Sequence, residues 1–311
     1  MSDLAALPDE TVAADMPIGV SPFRASLRRF SANRLAVISC VFLVFIILAC
    51  FVGPMIHPAP DEDGNFDNIS APIDLFSVHP FGTDDLGRDL LFRVLKGGRV
   101  SLGLGFFGAI VSVFISVAYG ATAGYLGGRV DDLMMRAVDI LLSLPFIFLA
   151  ILIKVVLQDS DLSLLGIPLG GPNVSLFIAV VFTLWLAPAI IARGQAVSLR
   201  GKEFIEAARA GGMSSRQIIV QHIAPNSVNV VIVYSSLLVL EAILTESFLS
   251  FLGIGVQIPF ASWGTLINEG ANHIESDPRL LMLPGAFLAA VLFCLNYITD
   301  GLRDAFDPNE R

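Results

Sequence analysis

Long uninterrupted runs of apolar residues alternate with shorter polar segments along this chain of 311 residues. Each run has about 19 to 26 residues, the length that a helix needs to cross roughly 30 Å of hydrocarbon. We therefore predict six membrane-spanning helices, over Leu35–Met55, Val100–Tyr125, Ala137–Leu157, Val174–Ala192, Val228–Leu252 and Leu280–Ile298.

These runs lack the alternation of apolar and polar residues that marks the strands of a transmembrane barrel. Residues 41–51, for example, are apolar at every position. Hydrophobic residues make up 55% of the chain and charged residues 15%, whereas a soluble domain carries about 25% charged residues. The mean hydropathy is +0.75. The sequence therefore predicts an all-α polytopic membrane protein.

The distribution of basic residues indicates how the chain is inserted, because Lys and Arg favour the cytoplasmic side. With both termini in the cytoplasm, 13 Lys and Arg residues lie inside and five outside, and Lys154 remains within a span. The five outer residues are Arg88, Arg93, Lys96, Arg99 and Arg279. We therefore expect a multi-pass protein of the cytoplasmic membrane with both termini cytoplasmic.

Polar segments divide the chain into five parts. Residues 1–21 are acidic, and we expect them to be largely disordered. Residues 22–34 have the pattern of an amphipathic helix on the membrane surface, with a solvated helix as the alternative. Residues 35–99 hold the first span and a large acidic outer loop. The core of spans occupies residues 100–301, and residues 302–311 form a cytoplasmic tail.

Few residues of this chain have the spacing of a catalytic or cofactor site. The three cysteines lie inside apolar spans and are interpreted as packing residues, and the four histidines are too far apart to predict a metal site. Residues 103–108 match a dinucleotide-binding pattern in letters only, because no strand precedes them. The ATP-binding pattern G-x-x-x-x-G-K-[ST] is absent from the sequence. We expect no cofactor in this chain and no nucleic-acid partner.

Three glycines near the end of the second span, Gly120, Gly124 and Gly128, are four residues apart. Small residues at this spacing allow two helices to approach closely in lipid. The pattern therefore predicts a tight contact between the second span and another helix.

The connection between the fourth and fifth spans, residues 201–226, is too long and too regular for a simple turn. Its first half favours a helix, and Gly211–Gly212 ends that helix because glycine adopts conformations that other residues resist. Ser214 and Gln217 have the spacing of a capping box, which starts a second helix. We predict that Pro225 ends or redirects this second helix.

The same connection resembles the EAA loop of bacterial ATP-binding-cassette (ABC) importer permeases. The resemblance rests on Glu206–Ala208, on Gly212 and on Ile223–Asn226, although Ala224 stands where the family usually has leucine. In that family the loop forms a coupling helix that docks on an ATPase subunit. The resemblance therefore implies an ATPase-coupling role for Glu206, Ala207, Ala208 and Gly212.

Other stretches resemble permeases of peptide and nickel importers, namely residues 79–89, 124–128, 246–253, 262–264 and 300–308. Residues 202–208 and 234–239 are most similar to the C-type permease of oligopeptide importers. The resemblance implies a type I ABC importer permease fold, with the coupling helix between the fourth and fifth spans. Dipeptides, nickel, glutathione and antimicrobial peptides remain alternative substrates within the family.

The resemblance also implies partners. They are a homologous second permease subunit, two ABC ATPase subunits that hold ATP and Mg, and an external peptide-binding protein. Together they would move oligopeptide across the bacterial inner membrane. ATP binding would shift the coupling helix and change the permease pair from inward-facing to outward-facing.

Two carboxylates lie well inside the fifth apolar run, at Glu241 and Glu246. A charge at the middle of the membrane costs roughly 2.5–3.5 kcal/mol, so both should face protein or water rather than lipid. Five residues on a helix turn through about 140°, so the two cannot line one narrow face. Each is a candidate for the translocation path, and a hydrogen bond between helices is the alternative. Lys154 lies near the outer end of its span, where it can snorkel.

Two other classes of membrane protein were considered. A secondary transporter would show inverted repeats with broken spans in matching positions, and no such symmetry is visible. An intramembrane hydrolase would need a nucleophile paired with a base inside the spans, and we find no such pair.

Overall fold

The computed structural model describes residues 22–56, 64–74, 77–160, 163–164, 167–168, 171–257 and 260–306. The predicted acidic tail, residues 1–21, lies outside this part of the chain. The α-helices in chain order are α1 (Pro22–Ala32), α2 (Arg34–Ile56), α3 (Leu90–Leu126), α4 (Gly128–Leu142), α5 (Phe146–Gln158), α6 (Pro172–Leu184), α7 (Leu186–Arg200), α8 (Glu203–Ala210), α9 (Ser215–Ile218), α10 (Ala224–Phe251), α11 (Trp263–Ala271) and α12 (Arg279–Phe306).

Short elements join some of these helices. A 3₁₀ helix covers Phe66–Asn68, and a π-helical turn covers Ile219–Ile223. The strands β1 (Ser163–Leu164) and β2 (Ile167–Pro168) pair antiparallel in the connection between α5 and α6.

Within the described residues, five helical segments are long and apolar enough to cross a membrane. They are Arg34–Ile56, Leu90–Leu126, Pro172–Arg200, Tyr234–Phe251 and Arg279–Ala305. The pair α4 and α5 also passes this test, although its two helices meet at 95°. Counting that pair as one span gives the six that the sequence predicts, and the all-α fold class is confirmed.

The third span is not the continuous helix predicted over Ala137–Leu157. Its chain folds as α4, which begins earlier at Gly128, and α5, with a sharp bend at residues 143–145. Pro145 lacks a backbone N–H, and the residue before a proline disfavours helical angles, so one straight helix cannot pass through this point. Hydropathy alone missed the bend because the end of α4 and the whole of α5 form one apolar run.

The second span begins ten residues before the predicted start at Val100. Asp89 caps the helix, and its carboxylate accepts a hydrogen bond from the backbone N–H of Phe92 at 2.6 Å. α3 therefore has 37 residues, about 55 Å at 1.5 Å per residue, which is longer than the roughly 30 Å of hydrocarbon. Residues 90–98, predicted as loop, extend this helix.

α3 packs against α2, α7 and α10 and lies at the centre of the bundle. Close contact with α7 depends on glycine, because a methyl group on Gly120 would lie 2.4 Å from the carbonyl oxygen of Ala189. A methyl group on Gly124 would lie 2.5 Å from the carbonyl oxygen of Arg193. Gly128 takes no part in this contact, since α3 ends at Leu126 and Gly128 begins α4.

α11 is a short helix held between α3, α10 and α12. The Trp263 side chain at its start is fully buried, and its indole N–H donates to the carbonyl oxygen of Val94 at 2.9 Å. Gly98 leaves room for this ring, because a methyl group there would lie 2.7 Å from it. α11 is therefore fixed to the first turns of α3.

Candidate functional site

A helical hairpin, α8–α9 with its π-helical turn (residues 203–223), follows α7. α8 ends in a Schellman motif. The N–H of Gly212 donates to the carbonyl oxygen of Arg209 at 3.0 Å, and the N–H of Met213 donates to the carbonyl oxygen of Ala208 at 3.1 Å. Gly212 has a φ of 82°, an angle that favours glycine. The turn predicted at Gly211–Gly212 is present, and only its second residue requires glycine.

Ser214 starts the second helix of the hairpin with the predicted capping box. The N–H of Ser214 donates to the Gln217 side-chain oxygen at 2.8 Å, and the N–H of Gln217 donates to the Ser214 hydroxyl at 3.3 Å. These two bonds satisfy backbone donors that a helix start leaves unpaired. The hairpin therefore has a defined shape rather than that of an irregular loop.

Pro225 does not end the second helix of the hairpin, so the first of the two outcomes predicted for it is wrong. The chain passes from α9 through the π-helical turn into α10, and the N–H of Ala224 donates to the carbonyl oxygen of Ile219. Proline cannot donate a hydrogen bond and clashes with the carbonyl group four residues earlier in an α-helix. Pro225 lies in the first turn of α10, directly after the π turn, where a missing N–H is best tolerated, so the helix continues.

Three isoleucines anchor the hairpin to the bundle. Ile205, Ile218 and Ile223 are fully buried in one cluster with Ala121 and Tyr125 of α3 and Ala196 of α7. The guanidinium group of Arg209 also lies over the Tyr125 ring at 5.9 Å. The hairpin is thereby attached to the carboxyl-terminal ends of α3 and α7. Sequence reasoning missed these anchors, because no local pattern shows what an isoleucine packs against.

The residues with a predicted ATPase-coupling role lie on or near the free surface of the hairpin. Glu206, Ala207 and Gly212 are exposed, and Ala208 is half-buried. Phe204 is 45% exposed on the same helix. The hairpin therefore has one apolar face that holds it to the bundle and one face that is open to solvent or to a partner.

A network of charged residues lies at the other end of α3. Arg88 and Arg93 donate to the buried carboxylate of Asp84 at 2.8 and 2.7 Å, and Arg93 also pairs with Glu269 of α11 at 2.8 Å. His273 pairs with Asp85 at 2.7 Å. These residues line a cavity of about 310 Å³, which we call the Asp84–Glu269 pocket. Most of its charged residues come from the segment that the sequence predicted as an acidic loop.

Glu246 of α10 is fully buried, and serine hydroxyl groups surround its carboxylate. Ser101 donates to it at 2.8 Å and Ser250 at 2.7 Å, and Ser247 and Ser262 also form hydrogen bonds with it. Ser101 in turn accepts the N–H of Trp263 at 3.2 Å. Glu246 therefore joins α3, α10 and the start of α11 by hydrogen bonds, and its carboxylate does not reach the surface of this chain.

Glu241 lies on a different face of α10 and is exposed. Its neighbours on that face are the exposed apolar side chains of Leu237, Leu244 and Phe248. The two carboxylates of the fifth span thus point in different directions, as their separation of five residues predicts. Lys154 of α5 is only 4% exposed, so its side chain packs inside the protein rather than extending along the surface.

Among the residues that the structure describes, no group of three or more His, Cys, Asp and Glu side chains could hold a metal ion.

Residues 116–311 match the family model of the binding-protein-dependent transport system inner membrane component, and residues 21–72 match the N-terminal transmembrane domain of oligopeptide transport permease C. The chain belongs to this family of inner membrane permeases.

Curated relatives cover nearly the whole permease chain. It is 47% identical to the oligopeptide transport system permease protein OppC of Haemophilus influenzae over 94% of this chain and 90% of that protein. It is also 47% identical to OppC of Escherichia coli, over 94% of this chain and 93% of that one. The dipeptide transport system permease protein DppC of Bacillus subtilis is 37% identical over 91% of this chain and 85% of that protein. The resemblance drawn from the sequence motifs is confirmed.

Proposed function

We propose that this chain is a permease subunit of an ABC importer that carries oligopeptides, driven by ATPase subunits that dock on the α8–α9 hairpin. One observation carries the proposal. The hairpin has a hydrogen-bonded turn and a capped second helix, is anchored to the ends of two spans, and exposes Glu206, Ala207 and Gly212. A rigid element of this kind can pass a displacement from a soluble partner to membrane helices.

The two ends of α3 support a division of the molecule into two sides. The hairpin packs at Tyr125, and the Asp84–Glu269 pocket lies at Arg93. These positions are 32 residues apart on one helix, about 48 Å at 1.5 Å per residue. A bilayer core of roughly 30 Å fits between them, so they lie on opposite sides of the membrane. We place the hairpin and both termini in the cytoplasm, in agreement with the excess of basic residues there.

The opposite side would then receive substrate from an external peptide-binding protein. The Asp84–Glu269 pocket and the residues around it present charged side chains to that side, with Glu269 46% and Asp85 45% exposed at the side chain. Exposed charges at the rim of an interface guide association more than they add affinity. This side is the contact surface that we assign to the binding protein.

Glu241 is the residue of the translocation path that we retain from the two candidates. It lies on an exposed face of α10 that is otherwise apolar, and a carboxylate at that depth is costly in lipid. We propose that this face borders the cavity shared with the second permease subunit. Glu246 is assigned to the interior, where it joins three helices.

The 47% identity to OppC of Haemophilus influenzae and Escherichia coli supports oligopeptides as the substrate, and the 37% identity to DppC of Bacillus subtilis makes dipeptides the second candidate. ATP and Mg would bind to the two ATPase subunits, because this sequence lacks an ATP-binding pattern of its own. The importer as a whole would couple hydrolysis to transport, and this chain would not be an enzyme.

Copurification tests the proposed assembly. A tagged copy of the chain is solubilised in mild detergent, and the proteins that remain bound are identified by mass spectrometry. We expect a second permease and ABC ATPases. Recovery of the folded chain with no nucleotide-hydrolysing protein, or peptide transport by the chain alone in liposomes, contradicts the proposal.

Gly212→Val tests the hairpin directly in the assembled complex. A residue with a side chain at a φ of 82° is strained by about 1–2 kcal/mol, and more for a β-branched one, so the turn should change shape. We expect ATP hydrolysis to continue while peptide uptake into proteoliposomes falls about tenfold, a typical coupling energy between two sites.

Gly201→Val is the matched control for this substitution. Gly201 precedes the hairpin, has a φ of −95°, and like Gly212 has no atom within 4 Å of the position of an added methyl group. The same side chain should therefore be accommodated there without strain, and uptake should stay near the wild-type rate. Equal uptake by the wild type and Gly212→Val would contradict the assignment of the hairpin as the coupling element.

A further inference from the structure

The helix α4 is weakly attached to the rest of the bundle. Of its 15 residues, only Asp131 and Val138 are buried. Val138 packs beside Trp185 and Leu186 near the bend, and the Tyr119 hydroxyl donates to the carbonyl oxygen of Met134 at 2.8 Å. The first turn of α4, where the chain leaves α3, has Asp131 as its buried side chain.

Asp131 forms a two-point ion pair with Arg193 of α7. The guanidinium Nε lies 2.9 Å from Oδ1 of the carboxylate, and Nη2 lies 2.6 Å from Oδ2. Two parallel hydrogen bonds between charged groups fix orientation as well as distance. The Asp131 side chain is 10% exposed and that of Arg193 is 39% exposed, so solvent screens the pair only in part.

The backbone of Arg193 is held in place from the other side by α3. The N–H and carbonyl groups of Arg193 lie against Gly120 and Gly124, where an added methyl group would approach them to 2.7 and 2.5 Å. A backbone packed so closely cannot move relative to α3 without separating the two helices. The guanidinium group thus projects towards α4 from a rigid pair of helices.

The same part of α7 also holds the α8–α9 hairpin. Ala196 is three residues after Arg193, about one helical turn away, and belongs to the cluster that buries Ile205, Ile218 and Ile223. A displacement of the hairpin that moves this end of α7 therefore moves Arg193 as well. Because of the ion pair, it also pulls on Asp131 and α4.

The bent connection carries such a movement further. α4 continues into α5 through the 95° bend, and α5 places Ala150 in a cluster with Leu176 of α6 and Ala242 of α10. Ala242 is adjacent to Glu241, which lies on the exposed face of α10. The chain of contacts thus extends from the hairpin, through the ion pair and the bend, to the helix that we assign to the translocation path.

We infer that Asp131 and Arg193 are positioning residues that make α4 move together with the α8–α9 hairpin, so that ATPase movement also reaches the bent span α4–α5. The inference rests on the proposed function, since it takes the hairpin as the point where force enters. Without the pair, the first half of α4 would keep its chain connection to α3 and the hydrogen bond from Tyr119, and it would follow α7 less closely.

The test uses the complete complex in proteoliposomes, with ATP hydrolysis and peptide uptake measured on the same preparation. Asp131→Asn removes the charge and keeps the shape, and Asp131→Arg and Arg193→Asp place like charges together. We expect all three variants to hydrolyse ATP and to import at least about fivefold fewer peptides per ATP, the lower end of typical coupling between sites. A purely structural role would lower hydrolysis and uptake in parallel.

The double variant Asp131→Arg/Arg193→Asp restores opposite charges and should recover most of the uptake per ATP. Asp139→Asn is the control, because Asp139 lies on the exposed surface of the same helix and the substitution removes the same charge. If a single reversal fails to assemble, Asp131→Asn and the double variant still decide the question.

Two results overturn the inference. One is a wild-type ratio of uptake to hydrolysis in Asp131→Asn, and the other is an assembled double variant that imports no better than Asp131→Arg. Failure of the proposed function has a different signature, because the Gly212→Val variant would then transport normally or the wild-type complex would contain no ATPase.

Discussion

At the scale of single residues, the two carboxylates of α10 differ because of their surroundings. Glu246 accepts hydrogen bonds from Ser101 and Ser250 in a fully buried position, whereas Glu241 is exposed. A buried polar group is tolerated only when its hydrogen-bonding capacity is satisfied. The serine hydroxyl groups supply the hydrogen bonds that the Glu246 carboxylate needs. Through these bonds Glu246 holds the start of α11 against α3.

Replacing Glu246 tests this structural assignment. Glu246→Ala should destabilise the purified chain by about 1–3 kcal/mol, because buried serine hydroxyl groups lose their acceptor. Glu246→Gln keeps one oxygen and the size of the side chain, so this variant should lose less stability than Glu246→Ala. The measurement is the thermal unfolding midpoint in detergent.

Glu241→Ala serves as the comparison, since it removes the same group from an exposed position on the same helix. We expect a change in stability within about 0.5 kcal/mol, as for most surface substitutions. Equal destabilisation by the two alanine variants would show that the serines around Glu246 contribute nothing specific.

At the scale of elements, α3 shows that glycines in one helix can have unrelated roles. Gly120 and Gly124 allow contact with α7, whereas a methyl group on Gly103 would have no atom within 4 Å. Gly128, at the same spacing, lies in the next helix. The spacing of small residues therefore predicts a close helix contact but does not show where the helix ends.

The substitution of alanine for glycine should have opposite effects at two positions of α3. At Gly103, in open space, alanine should stabilise the helix by about 0.5–1 kcal/mol, because it has less backbone freedom to lose on folding. At Gly120 the added methyl group would lie 2.4 Å from a backbone oxygen, which should cost about 1–3 kcal/mol. The thermal unfolding midpoint of each variant, compared with that of the wild type, shows whether the substitution stabilises the protein. A protein stabilised by Gly120→Ala would rule out the close contact between Gly120 and α7.

At the scale of the whole molecule, a side chain and a backbone group that are distant in sequence meet at the end of the bundle that carries the Asp84–Glu269 pocket. Arg279, at the start of α12, donates to Asp277 at 2.7 Å and to the carbonyl oxygen of Ala71 at 3.1 Å. The hydrogen bond from the Arg279 guanidinium holds the pKa of Asp277 below its ordinary value of 3.8. The hydrogen bond from Arg279 to Ala71 joins residues that are 208 positions apart.

The lowered pKa of Asp277 predicts how stability depends on pH. A carboxylate with a lowered pKa in the folded state binds fewer protons there than in the unfolded state. Its contribution to the free energy of unfolding is therefore complete above pH 3.8 and is lost as the pH falls through the pKa of the folded state. We expect the wild type to lose more stability than Asp277→Asn between about pH 5 and pH 2. Parallel unfolding midpoints of the two proteins across this range would contradict the prediction.

Much of the fold could be predicted from local pattern. The six apolar runs, the turn at Gly212 and the capping box at Ser214 depend on interactions between residues close in sequence. The bend at Pro145 and the continuous helix through Pro225 could not be predicted with the same certainty. A proline can break a helix or be accommodated by a π turn, and the outcome depends on the packing of the helices on either side.

The candidate site, like the fold, could be predicted only in part from the sequence. The motif at Glu206–Ala208 could be recognised by its letters, but the ion pair of Asp131 with Arg193 could not, because 62 positions separate its members. Charge on a helix does not identify its partner, and only packing brings the two side chains together. The interior position of Glu246 could not be predicted either, because Ser101 and Ser262, two of the serines that bind its carboxylate, belong to other segments.

The sequence by itself determined that this protein crosses the membrane, where its long apolar runs lie, and where a helical hairpin interrupts them. Hydrophobic length, helix capping and glycine conformation are local properties, and lipid requires each span to satisfy its own backbone hydrogen bonds. The tertiary structure alone decided which faces are buried, which carboxylate reaches the surface, and which helices the hairpin packs against. These depend on contacts between distant segments, which local pattern does not encode.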